Sequence, residues 1–157
     1  MLQVLRQRQN REDEGFTLIE LMVVVLIIAI LIAIAIPTFL GARARAQDRA
    51  AQSNLRNALT AEKTFYTDKQ AYSASSSDLS AIEPSLSYVG SSPASTGNQV
   101  GVAATGANDA VCLTAQSASG KTFGIKDIAT GATAGTYYYT AAPSCADTSV
   151  GAGTSAW

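Results

Sequence analysis

The chain has 157 residues, a formal net charge of −1 and only 15% charged residues. This supports one domain with one core and provides no extended basic surface for nucleic acid. The sequence contains no histidine and lacks a phosphate-binding loop, a nucleophile elbow and a metal-ligand cluster. We therefore expect a protein that is not an enzyme and that requires no cofactor or metal ion.

A long apolar run begins close to the amino terminus. Residues 21–42 contain no charged residue, and residues 21–36 are all Leu, Met, Val, Ile or Ala. Because a membrane-spanning helix needs about 20 mostly apolar residues, residues 16–40 are predicted to form a hydrophobic transmembrane helix. One carboxylate, Glu20, lies within it, and such a charge costs about 2.5–3.5 kcal/mol at the centre of a span and less near an interface.

Three interpretations of this segment were compared. A cleaved secretory signal has a shorter apolar core of roughly 7–15 residues, and an uncleaved anchor leaves Glu20 to reach the membrane surface. A signal cut between Gly15 and Phe16 would instead keep the span on the mature chain. That cut frees an amine on Phe16 with a reference pKa of about 7.7–8.0, and the resulting ammonium can pair with the Glu20 carboxylate of a neighbouring chain.

The string GFTLIE at residues 15–20, with the apolar residues that follow, resembles the processing site of type IV prepilins of the type IVa branch. The resemblance continues to about Tyr66, a third of the chain. It implies an α+β pilin fold with one long amino-terminal helix and a small antiparallel sheet. It also implies that a dedicated membrane peptidase removes residues 1–15 as a leader and methylates Phe16.

The resemblance further implies a homo-oligomeric helical filament built from these chains. Subunits wait in the inner membrane as single-pass precursors, and an assembly machinery packs them into an extracellular pilus through their apolar helices. In this family the glutamate at the position of Glu20 pairs with a neighbouring amino terminus. The fibre would serve adhesion, twitching motility or DNA uptake. The alternatives are a minor pilin, a type II secretion pseudopilin, or a membrane-anchored binding module that never polymerises.

The helical pattern continues past the apolar run. Residues 41–68 are predicted to be the amphipathic half of the same helix, because apolar and small residues recur at the spacing of one face. The residues assigned to this face are Ala42, Ala46, Ala50, Leu55, Leu59, Glu62, Phe65 and Tyr66. Pro37 lacks an N–H and Gly41 is a poor helix former, so we expect a helix break: a gentle kink in the free subunit and local melting in the fibre. The resemblance also assigns an interrupting role to Pro37.

The remaining residues are rich in Ser, Thr, Gly and Ala, but four stretches alternate in the manner of strands. These stretches are residues 99–105, 110–116, 121–128 and 136–140. We predict an antiparallel sheet of three to four strands within residues 99–157, packed across the amphipathic half of the helix, with a hairpin turn at residues 117–120. Residues 69–98 are predicted to be a connecting region with a short helix near 77–82, capped by Ser77.

The two cysteines, Cys112 and Cys145, both fall in the predicted sheet region. An even count in an exported domain with a small core favours a disulfide, which contributes roughly 3–4 kcal/mol in the chain-entropy model. Two free buried thiols are the alternative. Many type IV pilins close a carboxy-terminal loop in this way, so the resemblance also favours the disulfide.

Two further groups of charged residues were considered as binding sites. Asp109, Asp127 and Asp147 lack the alternating spacing of a calcium loop. The basic patch formed by Arg43, Arg45 and Arg49 is short and follows the apolar run directly, so it is interpreted as a solvated or lipid-facing helix surface. We expect neither a metal ion nor a nucleic-acid partner.

Overall fold

The computed structural model describes residues 15–90 and 97–157, so the predicted leader lies outside the described residues except for Gly15. Helix α1 spans Leu18–Lys69 and helix α2 spans Ser76–Ile82. The strands are β1 (Ser87–Val89), β2 (Gln99–Ala104), β3 (Ala110–Gln116), β4 (Thr122–Ile128) and β5 (Gly135–Tyr139). The predicted α+β architecture, one long amino-terminal helix followed by a small sheet, is confirmed.

The chain divides into two compact units, Met1–Gly41 and Ala42–Trp157, and α1 contributes to both. In the first unit α1 is apolar on every side, and this part of the chain is long and apolar enough to cross a membrane, with a mean hydropathy of 3.3 and no residue of the window buried. Straight-chain and alanine residues favour the helix, and the β-branched residues among them are tolerated.

The helix continues through Pro37 and Gly41 without a change of secondary structure. Pro37 has no N–H to donate to the carbonyl of Ala33. One turn of the helix is supported nearby, because the Thr38 hydroxyl donates to the carbonyl oxygens of Ala35, at 2.9 Å, and Ile34, at 3.3 Å. The expected weak point at Pro37 and Gly41 therefore stays a prediction.

In the second unit the five strands form one sheet in the order β1-β2-β3-β4-β5. β2 to β5 pair antiparallel with their neighbours, whereas β1 pairs parallel with β2 through Tyr88 and Val100. The predicted count of three to four strands, and the assignment of residues 69–98 to a strandless connection, therefore missed β1. Three residues are too few to show an alternating pattern, and β1 is held by its partner strand rather than by its own sequence.

The core of the second unit lies between one face of the sheet and the carboxy-terminal half of α1. Leu55, Ala58 and Leu59 on the helix are fully or almost fully buried, and they join a cluster with alternate residues of the central strands. The strand residues in this cluster are Val100, Val102, Val111, Leu113, Ala115, Phe123 and Ile125. The predicted helix face was correct at Leu55, Leu59, Glu62 and Tyr66, whereas Phe65 is only partly buried and lies outside the core cluster. It was wrong before Leu55, because Ala42, Ala46 and Ala50 are exposed and Asp48 and Ala51 are buried instead.

The predicted hairpin turn joins β3 to β4. The Ser117 N–H donates to the Lys121 carbonyl at 2.7 Å, and Gly120 adopts a φ of +90°, a conformation that glycine accepts readily. The predicted short helix is present as α2, but its cap was misplaced. Ser75, not Ser77, occupies the N-cap position, because the extended backbone before the helix ends there.

Candidate functional site

The first candidate site is the amino-terminal end of α1. Gly15, Phe16 and Thr17 precede the helix in non-helical backbone, and Phe16 is 92% exposed. Thr17 and Glu20 cap the helix reciprocally. The Thr17 N–H and hydroxyl donate hydrogen bonds to Glu20 Oε2 at 2.8 and 2.7 Å, and the Glu20 N–H donates to Thr17 Oγ1 at 3.3 Å. This is a capping box, which satisfies two donors that a helix start would otherwise leave open.

Glu20 therefore has a role within its own chain. Both of the bonds from Thr17 converge on Oε2, and among the described residues no cation lies within ion-pair distance of Glu20. The carboxylate also lies in the first turn, where the helix dipole favours a negative charge. Sequence reasoning singled out Glu20 but missed Thr17, although the spacing Thr-x-x-Glu before an apolar run is the signal for a capping box.

The second feature of the site is the apolar surface of α1. In the first unit every large apolar side chain from Leu18 to Leu40 is exposed, most of them by half or more. Monomeric soluble proteins rarely expose contiguous apolar patches of more than a few hundred Å². This surface therefore requires a covering of lipid or of other protein chains.

The third feature lies in the second unit, on the face of the sheet opposite the core. We call residues 141–150 the carboxy-terminal strap. Cys145 of the strap forms a disulfide with Cys112 of β3, across a sequence separation of 33, so the structure brings together the two predicted cysteines. Pro143 lies so close to β4 that a Cβ at Gly124 would be only 2.3 Å from its Cδ. Gly124 is thus required for the strap to lie against the sheet.

The second unit also buries several charged groups near α1. Glu62 is fully buried, and this burial raises its pKa to about 7, although the Ser73 N–H, which donates to Oε2 at 3.2 Å, opposes the shift. Asp127 accepts hydrogen bonds from the hydroxyls of Tyr72 and Thr136 and forms an ion pair with Lys63 at 3.3 Å. Burial, reinforced by the bond to Asp127, raises the pKa of Tyr72.

Asp48 attaches α1 to the turn between β3 and β4. It accepts hydrogen bonds from the Ser119 hydroxyl and, at 2.9 Å, from the Lys121 ammonium, and these bonds lower its pKa to about 2. Among the described residues no group of three or more His, Cys, Asp or Glu side chains could hold a metal ion. Asp48 and Asp127 each form an ion pair with a lysine of the same unit.

Comparisons with known proteins bear on the amino-terminal region. Residues 10–36 match the family described as the prokaryotic N-terminal methylation motif. Over 66 residues the chain is 47% identical to the type IV major pilin protein PilA of Myxococcus xanthus, an alignment that covers 42% of this chain and 30% of that protein. This chain is therefore similar over part of its length to a type IV major pilin, and its residues 10–36 carry the N-terminal methylation motif.

A second relative supports the same assignment. Over 69 residues the chain is 32% identical to the type IV wide pilus major component PilA4 of Thermus thermophilus, which covers 44% of this chain and 53% of that protein. The chain thus spans about a third of one curated relative and about half of the other. One relative is named as a major pilin and the other as a major component of a pilus, and the matched residues 10–36 include Gly15, Phe16 and Glu20.

Proposed function

We propose that this chain is a structural subunit of a type IV pilus filament. The observation that carries the proposal is the combination, in one segment, of the N-terminal methylation motif with the first part of α1, where every large apolar side chain from Leu18 to Leu40 is exposed. A membrane anchor alone would account for the apolar helix. The motif adds a processing step that leaves the same helix at the amino terminus of the mature chain.

In this proposal a prepilin peptidase cuts after Gly15 and methylates the amine of Phe16. Both residues lie in non-helical backbone before α1 and are exposed. The precursor spans the inner membrane through residues 16–40, and the pilus assembly machinery then transfers it to an extracellular filament. Residues 41–68 and 99–157 form most of the part of the subunit that packs on its own core, to which residues 69–98 add Tyr72, Leu79, Leu86 and Tyr88.

Contacts between identical subunits build the filament. The apolar surface of α1 packs on the same helix of neighbouring copies, and a head-to-tail contact of this kind gives an open helical fibre when the rotation does not close a ring. Glu20 sets the register of the contact. Its Oε2 stays engaged by Thr17, and its other oxygen accepts the Phe16 ammonium of a neighbouring chain in a charge-assisted hydrogen bond.

The first test is an intact mass with amino-terminal sequencing of protein sheared from the cell surface. We expect a chain that begins at methylated Phe16 and that is two hydrogens lighter than the reduced form because of the Cys112–Cys145 bond. A surface chain that still begins at Met1 would indicate an uncleaved anchor. A chain that begins near Arg45 would indicate an ordinary secreted domain, and either result would contradict the proposal.

The second test concerns assembly. Glu20→Gln removes the negative charge but keeps the size of the side chain, so we expect the variant to insert in the membrane and to yield few or no filaments in sheared fractions. Glu83→Gln makes the same chemical change on the surface of the second unit and is the matched control. Normal filament yield from Glu20→Gln would contradict the assigned role of Glu20.

A further inference from the structure

The outer face of the sheet carries a buried cation. Cys112 and Thr114 of β3 and Lys126 of β4 are buried, although they point away from the core formed by Val111, Leu113 and Ile125. The carboxy-terminal strap covers them. Cys112 and Lys126 are register partners on adjacent strands, so the disulfide and the lysine hold the same part of the strap from neighbouring positions.

Lys126 is 1% exposed, and among the described residues its ammonium makes its hydrogen bonds to the strap. It donates to the carbonyl oxygens of Ser144 at 2.8 Å, Asp147 at 2.7 Å and Ser149 at 2.8 Å. The Asp147 carboxylate lies at 4.0 Å and is largely exposed. Because an ammonium has three N–H donors and no acceptor, the three carbonyls use its whole hydrogen-bonding capacity.

A buried cation that loses its partners is strongly destabilising. Opening the strap would remove the acceptors of the Lys126 ammonium, so these bonds favour the closed strap whether the cysteines are oxidised or reduced. The bond to Ser144 matters most, because the next residue is Cys145. Fixing the Ser144 carbonyl over β4 therefore places the Cys145 side chain beside Cys112 on the adjacent strand.

The surroundings of the sulfurs also suit a closed strap without the disulfide. Cys145 Sγ lies 3.1 Å from the Ala103 carbonyl oxygen, and Cys112 Sγ lies 3.5 Å from the Ser144 carbonyl oxygen. A reduced thiol at either position would find an acceptor for its weak S–H donor. Each sulfur therefore has a carbonyl acceptor close to it when the strap is closed.

We propose that Lys126 is a positioning residue for disulfide formation, which docks the strap before the bond forms and retains it after reduction. In the reaction, the thiols of Cys112 and Cys145 are oxidised by a small-molecule disulfide, which is reduced to two thiols. One protein S–S bond forms, one S–S bond of the oxidant breaks, and each protein thiol proton passes to a sulfur of the oxidant. The proposal does not depend on the filament function.

The test measures how strongly the folded chain favours its own disulfide. The full chain, in detergent, is equilibrated with mixtures of reduced and oxidised glutathione, and the fraction carrying the Cys112–Cys145 bond is determined by mass after thiol alkylation. The ratio of oxidised to reduced protein, compared with the ratio of oxidised to reduced glutathione in the mixture, gives the effective concentration of the two protein thiols. We expect Lys126→Met to lower it at least tenfold, because the methionine keeps the apolar stem but removes all three bonds to the strap.

Two controls separate positioning from general stability. Lys69→Met makes the same substitution at an exposed position of α1, and Leu55→Ala weakens the core on the helix side. Both should leave the effective concentration within threefold of the original chain while circular dichroism shows the chains to be folded. A decrease of less than tenfold in folded Lys126→Met would overturn the proposal, as would an equal decrease in either control.

A second measurement decides the matter if Lys126→Met does not fold. The double variant Cys112→Ser and Cys145→Ser keeps Lys126 but has no disulfide, and acetylation of the Lys126 amine is followed by mass spectrometry with the exposed Lys69 as the internal reference. We expect Lys126 to react at least tenfold more slowly than Lys69, because the closed strap buries its ammonium. A smaller difference between the two lysines would show that the disulfide alone holds the strap and would overturn the proposal.

Discussion

The two units of this chain use apolar residues in opposite ways. In the first unit, side chains such as Ile28 and Leu31 are about half exposed or more, whereas in the second unit Leu55, Leu113 and Ile125 are fully buried. The second unit buries its apolar surface between α1 and the sheet. The first unit has no internal core among its described residues, so its apolar surface must be covered from outside the chain.

The difference also appears in the polar groups. In the second unit the buried charges of Asp48 and Lys126 are bound by partners that are distant in sequence, Lys121 for Asp48 and the strap for Lys126. In the first unit Glu20, the one carboxylate among residues 15–41, is bound by a residue three positions away. Substitutions should therefore act on folding in the second unit and on insertion or assembly in the first.

The largest effect is expected from Leu113→Ala. Leu113 is fully buried at the centre of the core, and truncating a buried leucine leaves a cavity that costs about 2–5 kcal/mol. Denaturant unfolding of the full chain in detergent should show this loss in the second unit. Membrane insertion should be unchanged, since the first unit is not altered. A loss of insertion would show that the two units do not act separately.

Ile28→Asp is the reciprocal change. It places a charge in the middle of the apolar segment, at a cost of about 2.5–3.5 kcal/mol on insertion scales, so we expect most of the chain to remain outside the membrane fraction after alkaline extraction. Ile28→Leu, at the same position, should insert normally. The unfolding midpoint of the second unit should be equal in the two variants, and a lower midpoint in Ile28→Asp would contradict the separation.

Glu62 should make the stability of the second unit depend on pH. Its pKa is about 7 in the folded chain against an ordinary value of 4.5, so the folded state binds more protons between these values. The resulting stability is fully present below about pH 4.5 and is lost as the pH rises through 7, by about 3 kcal/mol at most. Glu62→Gln should remove this pH dependence, as measured by denaturant unfolding from pH 4.5 to 8.

Asp48 provides the opposite control for that titration. Its folded pKa is about 2, below its ordinary value of 3.8. The stabilising contribution of the Asp48 carboxylate to the free energy of unfolding is therefore present above about pH 4 and is lost as the pH falls towards 2. Asp48→Asn should lower the free energy of unfolding above about pH 4, should remove the pH dependence between about pH 4 and 2, and should leave the slope between pH 4.5 and 7 unchanged. A flat profile in this range for the original chain would contradict the assignment of Glu62.

The smallest effect is expected at Arg56. Its guanidinium lies 5.2 Å from the centre of the Trp157 ring, and Trp157 also packs edge-on against Phe123 and Tyr138. A cation–π contact at an exposed position contributes about 0.5–1 kcal/mol, so Arg56→Met should lower the free energy of unfolding by this amount. Arg49→Met, two turns earlier on α1, should have a smaller effect.

The sequence determined the features that depend on neighbouring residues. An apolar run long enough to span a membrane, the GFTLIE string, the helix that continues to Lys69 and the four alternating strands could all be found from local patterns. The spacing of the helix face also placed Glu62 among the core positions, where the structure has it. Local periodicity suffices in these cases because each element repeats its own pattern along the chain.

Only the tertiary structure decided the rest. β1 has three residues and exists because β2 pairs with it. Lys126 reads in the sequence as a charge on a strand, yet the strap, some twenty residues later, buries it and uses all three of its donors. The local sequence contains no pattern that predicts the contact of Lys126 with the strap. The two segments are distant in the chain, and they meet only because the fold brings their surfaces together.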